Sequence, residues 1–151
     1  TTYYEPIDVS GPEFFRRTVY RFTPRGGRSS LLDTFDCPDP ATSAPRRAVT
    51  TTPLQALSLL NNAFVLRLSE TMADRIRRET GTSSAGSGSD SESGEADAEG
   101  IAQQVELAWQ LAVARSPSNT ERGLSRELVR RHGLPALCRG LFNVSEFVIV
   151  D

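Results

Sequence analysis

Three aspartates, Asp33, Asp36 and Asp39, recur every third residue in a proline-rich stretch. Carboxylates at that spacing, helped by loop carbonyls, are the kind of oxygen set that holds Ca²⁺. The alternating positions and distal glutamate of a calcium-binding helix-loop-helix are missing, however. Aspartates in such a loop more often cap turns through their own backbone, and here Arg46 and Arg47 follow closely enough to neutralise Asp36 and Asp39. The same two arginines precede a helix expected to start after Thr52. Free N–H groups at a helix N-terminus, with guanidinium groups beside them, can take a phosphate, sulfate or carboxylate. The plainer expectation is that the helix satisfies its own cap and the aspartates satisfy the arginines.

Other reactive types are scarce. His132 is the only histidine, so no histidine pair can hold a metal, and it sits in the basic last turn of a helix, where a cation suits the local dipole. All 17 basic residues are arginine. A Schiff-base lysine, a phosphate-loop lysine and a lysine general base are therefore excluded within this chain. Cys37 and Cys138 stand about a hundred residues apart and neither belongs to a CxxC or CxxCH string, so no zinc ribbon and no haem attachment is encoded here. A disulfide between them in an oxidising compartment and two separate buried thiols both remain open. Serine is abundant but no nucleophile-elbow motif occurs.

These residues need elements to position them. Residues 1–52 read as an irregular arm, because Pro6, Pro12, Pro24, Pro38, Pro40 and Pro45 recur too often for long helices. Within it, Glu13 to Arg17 suggests a short helix, Thr18 to Thr23 one short extended segment, and Leu31, Leu32 and Phe35 the apolar anchors of a loop. Arginines alternate with Phe14, Phe15, Tyr20 and Phe22. That resembles a surface for single-stranded nucleic acid, but without a basic excess it reads better as a buried aromatic face beside a solvated one.

The sharpest local signal is TTTPLQALSLL. Thr52 serves as N-cap, Pro53 as the first helical residue and Gln55 as the third residue of a capping box. Asn61-Asn62 interrupts this helix and Asn62 caps the next, whose Phe64, Leu68, Met72 and Ile76 are expected to form its buried stripe. Residues 80–100 hold five acids, no arginine and no large apolar side chain, and are expected to be a disordered insert. Without them the chain has 17 arginines against 14 acids, a formal +3, too little to argue for nucleic acid. A helix from Ile101 to about Ala114 buries Val105, Ala108, Trp109, Ala112 and Val113. Ser118 and Glu121 form a second capping box, opening a helix with Leu124, Leu128 and Val129 inward and Gly133 as C-cap. A short helix over 135–142 and an apolar, extended tail complete the chain. No apolar run approaches the roughly 20 residues that span a bilayer.

Several strings in this order resemble a known family: RRTVYRF at 16–22, TFDCPDP at 34–40, PRR at 45–47, TTPLQALSLLNN at 51–62 and LFNVSEFVIVD at 141–151. Together they look like the end of the C-terminal domain of unknown function in large planctomycete-type proteins, which often carry a cytochrome c domain near the N-terminus. Arg16, Arg17, Tyr20, Phe35, Asp36, Pro38, Asp39, Arg46, Arg47, Pro53, Gln55, Leu57, Leu60, Asn61, Asn143, Glu146 and Phe147 occupy motif positions. The chain departs at Asn62-Ala63, where many relatives have Asp-Pro, and at Ser43, where many have cysteine. The resemblance implies a multidomain parent and an exported or cell-envelope location; it implies no reaction.

The expectation is thus a mainly α fold of about five helices after the arm, as one domain: arm 1–52, helices 53–79, insert 80–100, helices and tail 101–151. Its function is that of a structural or interaction module, contacting upstream domains of its own parent and an envelope or glycan partner, with no nucleic-acid partner. The competing reading is part of an enzyme site for an anionic or glycan substrate, completed upstream, with Arg46, Arg47, Asp36, Asp39, Asn61 and Glu146 as candidates. No catalytic residue, metal ligand or cofactor is assigned to this chain; c-type haem could enter only through an upstream domain.

Overall fold

The computed structural model describes residues 17, 20, 30–39, 41–46, 50, 52–81 and 94–148. These are mainly α: α1 (Ser30–Thr34), α2 (Pro53–Asn61), α3 (Ala63–Glu79), α4 (Gly94–Val113), α5 (Asn119–His132), α6 (Leu134–Leu141) and α7 (Ser145–Val148). The chain forms two compact units, Thr1–Ser58 and Leu59–Asp151.

In the first unit, α1 stands where a loop was expected. It ends in a tight reversal. The Cys37 N–H reaches back to the Leu32 carbonyl at 3.0 Å, and Asp36 takes a left-handed φ of 56°. That is the Schellman way of closing a helix, with aspartate in the place usually given to glycine; aspartate tolerates this conformation better than most L-residues. Of the short helix expected over Glu13 to Arg17 only Arg17 is described, and it is not helical; most of the extended segment 18–23 lies outside the described residues. Its one described member, Tyr20, donates its N–H to the Arg17 carbonyl at 2.9 Å, a turn bond.

α2 begins as its residues dictate. Gln55 Oε1 accepts from the Thr52 N–H at 3.0 Å, and the Gln55 N–H donates to Thr52 Oγ1 at 3.3 Å. This closes the capping box around Pro53. No residue of α2 is buried; Leu54 is 62% exposed and Leu57 56%.

The second unit is a helical core built around α6, which packs against α3, α4 and α5. Its buried cluster draws Ala73 and Ile76 from α3, Val105, Ala108 and Trp109 from α4, Val129 from α5, and Leu134, Leu137, Cys138 and Leu141 from α6. Asn62 caps α3, its Oδ1 accepting from the Phe64 N–H at 2.9 Å. The buried stripe of α3 is Val65, Ser69, Ala73 and Ile76. The expected Phe64, Leu68 and Met72 are only half-buried. Small residues let a partner helix approach closely, so Ser69 and Ala73 take the contact line and the bulkier side chains flank it.

Three further expectations are corrected. α4 starts at Gly94, so residues 94–100 of the expected insert are helical. Extending an existing helix needs no new nucleus, and the alanines and glutamates there favour it. Leu124, expected inward, is 64% exposed and α5 buries Ser125 in its place, while Val129 is buried and Leu128 packs against the core as expected. The tail, whose closing apolar run is expected to be extended, makes the helical turn α7 as far as Val148; residues 149–151 lie outside the described residues. Other signals hold. Ser118 and Glu121 form the reciprocal capping box of α5, and Gly133, at φ 82°, ends α5 and opens α6. Cys37 and Cys138 are both free thiols. Burial pushes the Cys138 thiol up to about 12, which leaves it protonated and inert at neutral pH.

Candidate functional site

In the first unit, the TFDCPDP and TTPLQ strings meet in one hydrogen-bonded network. Asp36 accepts at both carboxylate oxygens from Thr50: the Thr50 N–H lies 2.7 Å from Oδ2, and its hydroxyl lies 3.0 Å from Oδ1 and 2.8 Å from Oδ2. Thr50 Oγ1 in turn accepts from Gln55 Nε2 at 3.3 Å. Gln55 closes the α2 cap with Thr52, so the end of α1 is tied to the start of α2 across 14 residues of chain. The left-handed turn at Asp36 is what points this carboxylate back toward Thr50. Thr50 is thus a partner of Asp36 that the sequence did not suggest; Arg47, one of the two arginines expected beside it, lies outside the described residues. A backbone donor and a hydroxyl on the same residue hold a carboxylate in fixed geometry at less entropic cost than two long arginines.

The other sequence candidates fall as follows. Asp39 Oδ1 accepts from the Ala41 N–H at 2.9 Å, a local turn of the kind aspartate favours. Asp33 lies on α1 and is exposed. Arg46 is exposed, and Arg47 lies outside the described residues. Asn61 ends α2. Asp36, Asp39 and Arg46 belong to the first unit, Asn61 and Glu146 to the second. Among the described residues, no three histidine, cysteine or acidic side chains come together to hold a metal ion.

Among the described residues, the densest polar cluster is in the second unit and centres on Arg115, which the sequence patterns did not single out. Helix α4 ends with Ala114 at a left-handed φ of 57°, which swings Arg115 back over the α4–α5 corner. All five of its N–H donors are used. Nε and Nη2 donate to Glu146 at 2.8 and 3.1 Å; Nη1 and Nη2 donate to Glu121 at 3.0 and 2.8 Å; Nη1 also donates to the Ser116 carbonyl at 3.1 Å. The guanidinium carbon lies 4.8 Å from the centre of the Trp109 ring, a cation–π contact.

Charge follows geometry here. Hydrogen bonds from Arg115 and from Ser118 hold the Glu121 carboxyl down to about 2. Arg115 also holds Glu146 below the usual carboxylate range. Below this corner the Trp109 indole N–H donates to Ser125 Oγ at 3.1 Å inside the core, and Arg122 pairs with Glu106 at 3.0 Å, tying α5 to α4. A saturated arginine between two ionised carboxylates has no free donor for a substrate, and neither carboxylate is poised to move protons near neutral pH. Glu146, a candidate on sequence grounds, is placed here as a partner of Arg115. The one early signal was Glu121, recognised as a capping residue; its second role depends on a contact between α4, α5 and α7 that no local pattern encodes.

No helix among the described residues is long and apolar enough to cross a membrane. No curated protein and no solved structure matches the chain. A family match does exist, and it covers residues 4–129, taking in the arm, the Asp36–Thr50–Gln55 network and the helices as far as α5. The chain belongs to the PSD1 family, proteins of unknown function (DUF1553).

Proposed function

We propose that this chain is a structural or interaction module of a large, exported multidomain bacterial protein, docking through α2 on other parts of the same parent. The observation that carries the reading is the α2 face. Leu54 and Leu57, one turn apart, are more than half exposed on a well-capped helix with no buried residue. Two large apolar side chains side by side on a preorganised helix are a small interaction surface, and helix-face docking reads spacings of this kind. The polar clusters support the same reading, because Asp36 and Glu146 are spent on Thr50 and Arg115. The resemblance to terminal domains of multidomain envelope proteins supplies the occupant: upstream sequence of the parent, which would also carry any haem.

The test is fractionation of the source cells and immunoblotting with an antibody raised against this chain. The reading expects a species several times larger than 16.5 kDa, in the envelope or exported fraction. A band of the chain's own mass in the cytosolic fraction would sink it.

A further inference from the structure

We propose that α7 is an electrostatic strap, held to the helical unit through the Arg115 guanidinium and able to release without disturbing the helices beneath it.

α7 cannot stand by itself. It is four residues long and contributes no buried residue. Its backbone bonds are local: the Phe147 and Val148 N–H groups both donate to the Val144 carbonyl, at 3.0 and 3.2 Å. One turn of helix is far below the length that is stable alone in water. Its ring contact, Phe147 on Phe142 at 5.1 Å, reaches only five residues back, to the residue that caps α6. Val144, packed against the core just ahead of α7, is the natural hinge. Among the described residues, α7 lies against α4, and the long-range side-chain bonds that tie it are those of Glu146, paired with Arg115 through two hydrogen bonds across 31 residues.

The catch is asymmetric. Arg115 keeps its place whether or not Glu146 is there, because Glu121, the Ser116 carbonyl and the Trp109 ring hold it independently. Glu121 is the less exposed of the two carboxylates, 31% against 49%, and it is locked by the Ser118 capping box. The charged groups facing Glu146 are Arg115, which attracts it, and Glu121, which repels it. Weakening these charges therefore frees Glu146 first and leaves the α4–α5 corner closed. Salt does this by screening, acid by protonating Glu146, whose carboxyl lacks the capping bonds that hold Glu121 lower.

The test is hydrogen exchange resolved to peptides on the full 151-residue chain, comparing the native sequence with Glu146→Gln at low and at high salt. At low salt, Glu146→Gln is expected to raise exchange at residues 144–148 by about fivefold, the upper range for an exposed ion pair, with α4, α5 and α6 unchanged. High salt should produce the same rise in the native chain and add little in the variant. Unchanged exchange at 144–148 would overturn the proposal, because apolar contacts would then hold the tail. So would faster exchange throughout α5 and α6, because the tail would then be part of the core. A salt effect that persists in the variant would overturn it too.

Discussion

Leu137→Ala probes the part of the fold that lies beyond the family match. Leu137 is 4% exposed on α6, in a cluster fed by α3, α4 and α5. The substitution deletes three carbons from a packed site. At about 0.8 kcal/mol for each buried methylene, the transfer loss is about 2.4 kcal/mol. The cavity left behind brings the total to about 3 kcal/mol, inside the range of roughly 2–5 kcal/mol for buried leucines. A unit of this size has about 5–14 kcal/mol of stability in all, so the loss is a large fraction of it. The assay is convenient, because Trp109 is the only tryptophan, is 6% exposed, and lies in the same cluster. Urea unfolding followed by its fluorescence should show the midpoint fall by roughly 1.5 M with the slope unchanged. A fall of less than about 0.3 M, on the same scaling, would refute the reasoning: α6 would then be peripheral, and the unit would end where the family match ends, at residue 129.

Ala114→Gly should stabilise the chain by about 1 kcal/mol, because alanine at a left-handed φ of 57° carries a strain that glycine does not; the same urea assay reads it, and destabilisation would contradict the geometry. Gly133→Ala should do the reverse at φ 82°, lowering stability by at least about 1 kcal/mol. Thr50→Val removes the hydroxyl that bridges Asp36 and Gln55, and should speed amide exchange around the α1 end and the α2 cap by several-fold; equal protection would mean that the network holds nothing. Glu121 has a folded-state carboxyl lowered to about 2, so its contribution is complete above the ordinary carboxylate range and is lost as the pH falls toward 2. Unfolding midpoints between pH 5 and pH 2 should therefore drop less steeply in Glu121→Gln than in the native chain.

Local chemistry was legible in the sequence, and contacts between distant segments were not. Both capping boxes, the Asn62 cap, the Gly133 corner and the apolar face of α4 rest on residues within a few positions of one another, and the structure has them. Periodicity places the α3 stripe on Phe64, Leu68 and Met72, one residue before the buried Val65, Ser69 and Ala73, because it ranks bulk and the close approach of α6 selects small residues; Ile76 is buried as expected. Leu124 was read as core because it is apolar, although Ser125 beside it supplies what the Trp109 indole needs. α1 was missed among prolines: five residues with a reversal at an aspartate leave little pattern. Arg115 looked like any arginine before a Ser-Pro break, and its partners lie six and 31 residues away. Of the site candidates, Asp36 is held by Thr50, 14 residues along the chain, a pairing no local pattern announces.

In the parent protein the apolar face of α2 is expected to be covered. Hydroxyl-radical footprinting of Leu54 and Leu57, in the isolated chain and in the full-length parent, tests it most directly. Heavy oxidation of both leucines is expected in the isolated chain, as their exposures of 62% and 56% require, and several-fold protection in the parent, with exposed Leu124 reacting equally in both. Equal oxidation of Leu54 and Leu57 in the two samples would contradict it.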